Sequence, residues 1–231
     1  MLNLIKRVLG WGDIEGYRGY PLIQKSKVER IDLVSCNAYI CNSVLRGAVK
    51  VGDNSKIVDA EVVGAVTIGR WSTFNGPNSD IFAHVNMVKI GNFCSIARNV
   101  SIQEYNHLFD RATSYFIHLN VFGEKMENDI GSKGEIIIGN DVLIGTQSVI
   151  LSGATISDGA VIGANSLVDS FIPPYAISVG SPAKVIKYRF SDQIIERLLK
   201  SKWWDWGDER IRANRHFFEG ALTEEKMDQV R

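Results

Sequence analysis

The sequence predicts a mostly β protein wound as a parallel β-helix, and three observations carry that expectation. From Ile138 onward a β-branched residue returns every six positions, at Ile138, Ile144, Ile150, Ile156, Ile162 and Val168. The residue four places after each is small or apolar: Val142, Ser148, Ala154, Ala160, Ser166 and Ile172. Glycine follows the first residue directly at Gly139, Gly145 and Gly163.

A six-residue period has a geometric meaning. Side chains alternate along a strand, so the first and fifth positions share a face, and a large and a small residue can fill a narrow interior. Gly, Asn or Asp between them suits a tight corner, because these residues tolerate unusual backbone angles. Three such segments close one triangular coil, and coils stack through parallel backbone hydrogen bonds with open edges only at the two ends. The same beat occurs earlier with slips. Ile90-Gly91, Ile96 and Ile102 keep it, with Cys94 and Val100 at the fifth positions; so do Ile68-Gly69 with Phe74, and Val51-Gly52 with Ile57 and Val63. The register shifts across Asn75 to Lys89, where bulges or loops are expected. The resulting division is a cap over residues 1–50 with a short helix and irregular strands, a catalytic β-helix over 51–190, and a helical segment over 191–231.

Residues 108–134 interrupt the repeat with a stretch too long for a corner, rich in aromatics and in both charge signs. Long excursions from a rigid scaffold commonly carry function. After Pro173-Pro174 the pattern changes: Ser191 can cap a helix through Trp204 with Ile194, Ile195, Leu198 and Leu199 as its apolar stripe. Gly207 ends it, and Asp208 is positioned to cap a second helix over 209–218. Trp203, Trp204 and Trp206 read as packing anchors.

Composition bounds the function. Of 231 residues 45% are hydrophobic, and 26 Lys and Arg balance 26 Asp and Glu. A net charge of zero argues against a nucleic-acid partner. Cys36, Cys41 and Cys94 form no Cys-x-x-Cys pair or Cys/His ligand spacing, so neither a disulfide framework nor a metal site is expected. The N-terminal apolar stretch is too short to span a membrane and lacks a small-residue cleavage site, which makes the cytoplasm the expected location. Leu2, Ile5 and Leu9 suit one side of a short helix packed on protein, in preference to contact with a membrane surface.

The run from Ile138 to Val168, followed by IPPYAISVGSPAKVI, resembles the left-handed β-helix acyltransferases. Asn106-His107 at the end of a coil, Ser114-Tyr115-Phe116 in the following loop, and KSKWWDW near the C-terminus are similar to the xenobiotic (chloramphenicol and streptogramin) acetyltransferase branch. The resemblance implies left-handed winding, a homotrimer with active sites between subunits, acetyl-CoA as acyl donor, and His107 as the catalytic base. Coenzyme A would lie along the C-terminal coils at Gly145, Thr146, Gly163 and Ala164, with Pro182, Lys184 and Lys187 meeting its adenine and phosphates. Leu143, where many relatives carry Trp, and Asp169, in place of a basic or hydroxyl residue, depart from that pattern.

The chemistry agrees with those positions. Acetyl transfer to a hydroxyl needs a proton acceptor, an oxyanion donor and a track for the thioester, and His suits the first near neutral pH. Of four histidines only His107 closes a coil where the loop departs. Glu104, Asp110 or a backbone carbonyl could orient it. Tyr105, Asn106, Tyr115 and Phe116 are candidates to meet the acceptor, and an amide near Gly145-Thr146 is a candidate oxyanion donor. The expected reaction is direct O-acetylation without a covalent intermediate, with a saccharide or sugar precursor as acceptor. An antibiotic alcohol, an amino sugar and a non-catalytic trimeric scaffold remain alternatives.

Overall fold

The computed structural model describes residues 21–229; the short helix expected near the N-terminus lies outside these residues. Three parallel faces wind around one core, and the register shows what each coil stacks upon. On the first face Ile40, Ile57, Phe74, Ile96, Ile144 and Ile162 lie one above another. The second face stacks Leu45, Val62, Ile81, Ile102, Ile150 and Val168. The third stacks Val51, Ile68, Ile90, Ile138, Ile156 and Ile172. Every one of these side chains is at most 3% exposed. The six β-branched residues that predicted the repeat are therefore consecutive steps around the triangle, two on each face.

Small polar residues at the fifth positions point inward and tie the coils together. The Ser55 hydroxyl accepts from the Ser72 amide at 2.9 Å, and the Ser72 hydroxyl accepts from the Cys94 amide at 2.9 Å. At the corner between the third and first faces, side chains do the same. The Asn92, Asn140 and Asp158 side chains accept from the amides of Arg70, Asn92 and Asn140 at 2.9, 2.8 and 2.7 Å. Backbone donors that a corner would leave orphaned are thus satisfied by the coil above.

The stack begins earlier than residue 51. Leu22–Gln24 pairs in parallel with Tyr39–Cys41, and Lys27–Val28 pairs with Val44–Arg46, so residues 22–50 form coils rather than a cap of irregular strands. The reason they escape a six-residue search is a shortened corner. Ile40 to Leu45 and Ile57 to Val62 are five-residue steps, so these coils repeat every seventeen residues. The same short step makes Val62, not Val63, the inward residue; Val62 is fully buried. The expected irregularity across Asn75 to Lys89 is present, with register shifts in the pairing of Lys56–Ile68 with Thr73–Ile90.

The parallel stack does not continue to residue 190. Lys184–Tyr188 folds back antiparallel on Ala176–Val179. Helix α2 (Asp192–Ser201; α1 lies in the loop below) follows, with the Ser191 side chain accepting from the Ile194 amide. Gly207, not Asp208, caps α3 (Asp208–Ala213), and the chain then tightens into a 3-10 turn at Arg215–Phe218 before α4 (Glu224–Asp228). Asn214 interrupts the helix expected through residue 218: its side chain donates back to the Arg210 carbonyl at 2.9 Å. Trp203, Trp204 and Trp206 are buried in a cluster with Tyr175, Leu198 and Phe217. Arg70 locks this segment to a coil corner by pairing with Asp208 at 3.0 Å and donating to the carbonyls of Trp204 and Trp206.

Truncating an inward residue should open a cavity that the coils above and below cannot close. Ile150→Ala is expected to cost about 2–5 kcal/mol in chemical denaturation, whereas Val149→Ala, on the outward side of the same strand, should cost well under half of that. Gly64→Ala should destabilise more than a surface change, since Gly64 has φ +105° and a Cβ there would overlap the Ala83 carbonyl.

Candidate active site

Two corners of the same coils carry the residues that the sequence singled out. At the corner between the second and third faces the chain leaves the coil through Glu104 and Tyr105. Asn106–His107 then pairs antiparallel with Ile130–Gly131, His107 lying opposite Ile130. The excursion is thus closed at its base by two strands of its own. Asn106 fixes the exit by donating to the Ser152 hydroxyl at 3.2 Å.

His107 is exposed, and its ring is held on two sides. Nδ1 lies 2.7 Å from the Ser114 carbonyl oxygen. A carbonyl can only accept, so Nδ1 carries the proton and Nε2 presents a lone pair outward. Phe116 packs against the imidazole at 4.2 Å between centroids, inclined by 57°. Glu104 and Asp110 do not orient this ring. Glu104 is fully buried and accepts from the amides of His84 and Val85 at 3.1 and 2.8 Å and from the Asn86 side chain at 3.0 Å, so it pins the preceding bulge. Asp110 is exposed, and the partner of Nδ1 is the Ser114 carbonyl instead. The orienting group is the backbone carbonyl, for which sequence offers no signal.

The loop is kept in shape by Asp129, which the sequence reading did not single out. Its carboxylate accepts from the amides of His118 and Leu119 at 3.1 and 2.9 Å, capping α1 (Ile117–Asn120). Its carbonyl accepts from the Leu108 amide at 3.1 Å. One residue therefore joins the turn that carries Phe116 to the position just after His107. Burial alone would push this carboxyl up, but the Leu119 and His118 amides outweigh it and hold it below the usual carboxylate range. Tyr115 is 56% exposed and its hydroxyl accepts from Asn120 at 3.1 Å. Tyr105 turns away from His107 and meets His84 edge-on at 6.0 Å; burial raises its pKa. The other loop-side histidines have their own partners: His84 faces Glu127 at 3.4 Å, and His118 Nδ1 lies 2.8 Å from Glu124.

The second corner lies at the other end of the second face. Gly145-Thr146 and Gly163-Ala164 stack there, since Ile144 registers with Ile162 and Ile162 with Ser178. The turn holding Pro182 covers them: the Leu167 amide donates to the Gly180 carbonyl at 2.9 Å and the Ala183 amide to the Leu167 carbonyl at 2.7 Å. Lys184 begins the final strand beside Val179, while Lys187 lies farther along it, opposite Ile177. Both are exposed. The glycines are required by the stack itself: a Cβ at Gly145 would sit 2.5 Å from the Ala164 amide nitrogen, and one at Gly163 would sit 2.5 Å from Val179 Cγ1. The Gly145 amide donates to the Ile162 carbonyl at 2.8 Å and is spent. The Thr146 hydroxyl donates to the Arg98 carbonyl at 2.8 Å, and the Thr146 amide has no acceptor among the described residues.

A single chain does not bring these corners together. Both belong to the coil that runs from Thr146 through Ile150 to Ser152, and the strand between them spans roughly 15–20 Å. His107, Asn106 and Phe116 gather at one end; Gly145, Thr146, Gly163, Ala164, Pro182 and Lys184 gather at the other. No cysteine offers a nucleophile near either group: Cys94 is buried and its thiol is pushed up to about 12 by burial. Among the described residues no group of three or more His, Cys, Asp or Glu converges as a metal site would require, and no helix is long and apolar enough to cross a membrane.

A stack of six-residue steps interrupted by one His-bearing loop defines a hexapeptide-repeat transferase. The model of the bacterial transferase hexapeptide (six repeats) matches residues 135–170. A probable macrolide acetyltransferase from Lysinibacillus sphaericus is 47% identical over 133 residues, covering 54% of this chain and 73% of that protein. A chloramphenicol acetyltransferase from Klebsiella aerogenes is 35% identical over 170 residues, covering 64% of this chain and 79% of that one. The solved structure of AntD, an N-acyltransferase from Bacillus cereus in complex with dTDP and 3-hydroxybutyryl-CoA, shares the fold with a TM-score of 0.51 at 21% identity, over 87% of this chain and 96% of that chain. The chain belongs to the hexapeptide-repeat acetyltransferase family, in the branch of the macrolide and chloramphenicol enzymes.

The role of Asp129 has a testable signature. Its folded pKa lies below the unfolded value of about 3.9, so its hold on the loop is present above that value and fades as pH falls through the lowered one. The protection factors of the His118 and Leu119 amides, exchange rates divided into the intrinsic rate at each pH, should therefore stay high near neutral pH and fall only in strong acid. In Asp129→Ala they should be low at every pH while the coil strands keep their protection.

Proposed function

We propose that the protein is an acetyl-CoA-dependent O-acetyltransferase in which His107 removes the proton from an acceptor hydroxyl. The observation that carries this is the single orientation of the His107 ring, with Nδ1–H donated to Ser114 and Nε2 open at the base of a loop. The Nε2 lone pair takes the hydroxyl proton as the alcohol oxygen forms its bond to the thioester carbonyl carbon. The resulting oxyanion is met by a backbone amide, for which Thr146 is the candidate. The tetrahedral intermediate then collapses, the C–S bond breaks, and the imidazolium returns the proton to the departing thiolate. No covalent enzyme intermediate is required.

The separation of the two corners supports a homotrimer in which His107 of one copy faces the Thr146 and Ala164 corner of the next. The coenzyme would run along Gly145, Thr146, Gly163 and Ala164, and Lys184 and Lys187 would offer cationic ends to its phosphates. AntD, a solved structure of the same fold, was crystallised with 3-hydroxybutyryl-CoA, and a cytoplasmic location would give access to the donor.

For the acceptor, the surroundings of His107 favour an apolar alcohol of the antibiotic type over the saccharide first expected. Phe109 is 88% exposed on the His107 loop, and Tyr115, Val121 and Phe122 of the same loop are also exposed. Such a surface suits an apolar ring better than a polyol. The names of the relatives, macrolide and chloramphenicol acetyltransferases, lean the same way.

His107→Ala is expected to lower turnover by about 10²–10⁴ while leaving acetyl-CoA affinity nearly intact; an unchanged rate would remove the base from this scheme. Acetyl-CoA consumption measured against macrolides, chloramphenicol, free sugars and nucleotide sugars should give its highest kcat/KM with one of the antibiotics. A sugar as best acceptor would reverse that assignment.

A further inference from the structure

A cavity of about 340 Å³ opens on the same corner of the stack as Thr146, in the coils beneath it. Hydrogen bonds trace the descent. The Thr146 hydroxyl donates to the Arg98 carbonyl at 2.8 Å, the Asn99 amide to the Pro77 carbonyl at 3.0 Å, and the Asn78 side chain to that of Asn99 at 3.1 Å. Asn78, Asp80, Asp59, Glu61 and Asn42 line the cavity from there down. Coils are about 4.8 Å apart, so it begins two coils, or roughly 10 Å, beneath Thr146.

The loop bearing His107 reaches the same height. Asn78–Asp80 and His84–Asn86 flank the two ends of the second-face strand that carries Ile81. Asn86 donates to Ser132 at 3.1 Å, where the loop returns, and His84 faces Glu127 at 3.4 Å. The loop thus drops past its own coil to the level of the cavity, which lies a strand's length away on the opposite corner.

The polar atoms of the cavity are mostly acceptors with capacity to spare. Asp59 accepts from Asn42 through Oδ1, and Asp80 accepts from Ser101 and Gln103 through Oδ1 at 2.6 and 2.9 Å. The Oδ2 atom of each has no hydrogen-bond partner among the described residues, and neither is sealed from solvent. Glu61 is paired with Arg46 at 3.1 Å. A group that settles here must bring O–H or N–H donors.

We propose that this cavity is the distal part of the acceptor site and receives a sugar ring, carried by an apolar body whose reacting hydroxyl lies at His107. The inference rests on the proposed reading in which His107 of one copy faces the Thr146 corner of the next. In that arrangement an apolar loop and a polar corner flank one cleft, so the acceptor is apolar on one side and rich in donors on the other. Its sugar lies roughly 5–15 Å from the reacting hydroxyl, because the cavity spans the three coils beneath that of His107. A glycosylated macrolactone has this form. Chloramphenicol, a single-ring alcohol without a sugar, does not.

Isothermal titration calorimetry of the full-length protein with coenzyme A present, which carries no acetyl group and permits no transfer, reads this directly. Erythromycin should bind about 10-fold more tightly than its sugar-free aglycone, erythronolide B, and more tightly than chloramphenicol. The double variant Asp59→Asn, Asp80→Asn keeps the size of both side chains, and Asn tolerates the φ of +51° at position 59. It should melt as the wild type does and shrink the preference for erythromycin to about 2-fold. Should it melt lower, Asn78→Gly carries the test at an exposed position with φ +56°, and should weaken erythromycin by about 3-fold. Equal affinity for erythromycin and its aglycone, tighter binding of chloramphenicol, or a preference that these variants leave unmoved would overturn the proposal. Acetyl transfer does not enter the measurement. An active His107→Ala variant would therefore remove the base and leave this subsite, and an unmoved preference would do the reverse.

Discussion

Everything in this molecule depends on coil-on-coil stacking, in which each inward side chain rests on its equivalents above and below. That constraint selects a β-branched or aromatic residue at the first position and a small one at the fifth, because the triangular interior has room for little else. It also selects glycine at corners such as Gly145, where a Cβ would press on the next coil's backbone. Because the parallel ladder is continuous along each face, the scaffold is stiff, and a loop leaving it at a fixed corner is aimed by the whole stack. The His107 loop is short of core contacts of its own; its two-strand base, the Asn106–Ser152 bond and the Asp129 cap transmit the rigidity of the coils to the imidazole.

The same stiffness bears on how the proposed chemistry would be divided. A face of a triangular coil is a strand that cannot fold upon itself, so groups at its two ends stay a strand's length apart. In the proposed reading a base at one corner and a thioester track at the other would meet across neighbouring copies, and cyclic assembly of three chains with threefold symmetry is the simplest arrangement that would repeat the meeting at every interface. Arg70 and the tryptophan cluster tie the C-terminal helices to a third corner, apart from the two that carry His107 and Thr146.

Legibility in the sequence followed the regularity of the steps. Residues 138–168 advance by six without interruption, and the buried residues at the first and fifth positions there could be named from spacing alone. Residues 22–62 form the same coils, but a five-residue step at one corner shifts the beat, so Val63 was read in place of Val62 and the first coils were read as a cap. The antiparallel return of Lys184–Tyr188 breaks the parallel rule and left no periodic mark. The place of His107 at the base of the loop was legible because the repeat stops beside it. The Ser114 carbonyl that fixes its tautomer was not, since a backbone group has no signature, and Glu104, one of two acidic candidates for that role, is committed to the bulge at His84–Asn86. That Gly145 and Gly163 turn corners was legible, whereas their closeness to the next coil and the consumption of the Gly145 amide by Ile162 required the register of the strands.

The division of the site between copies is the claim most directly open to measurement, by subunit complementation. His107→Ala removes the base, and Ala164→Trp, at an exposed position, blocks the opposite corner without touching the core; each variant alone should be inactive. Co-expressed in equal amounts, with mixed assemblies verified by native mass spectrometry, they should recover roughly a quarter of wild-type activity, the share of interfaces that pair an intact His107 with an intact corner. Mixed assemblies with no recovered activity would place both halves of the site in one chain and contradict the account.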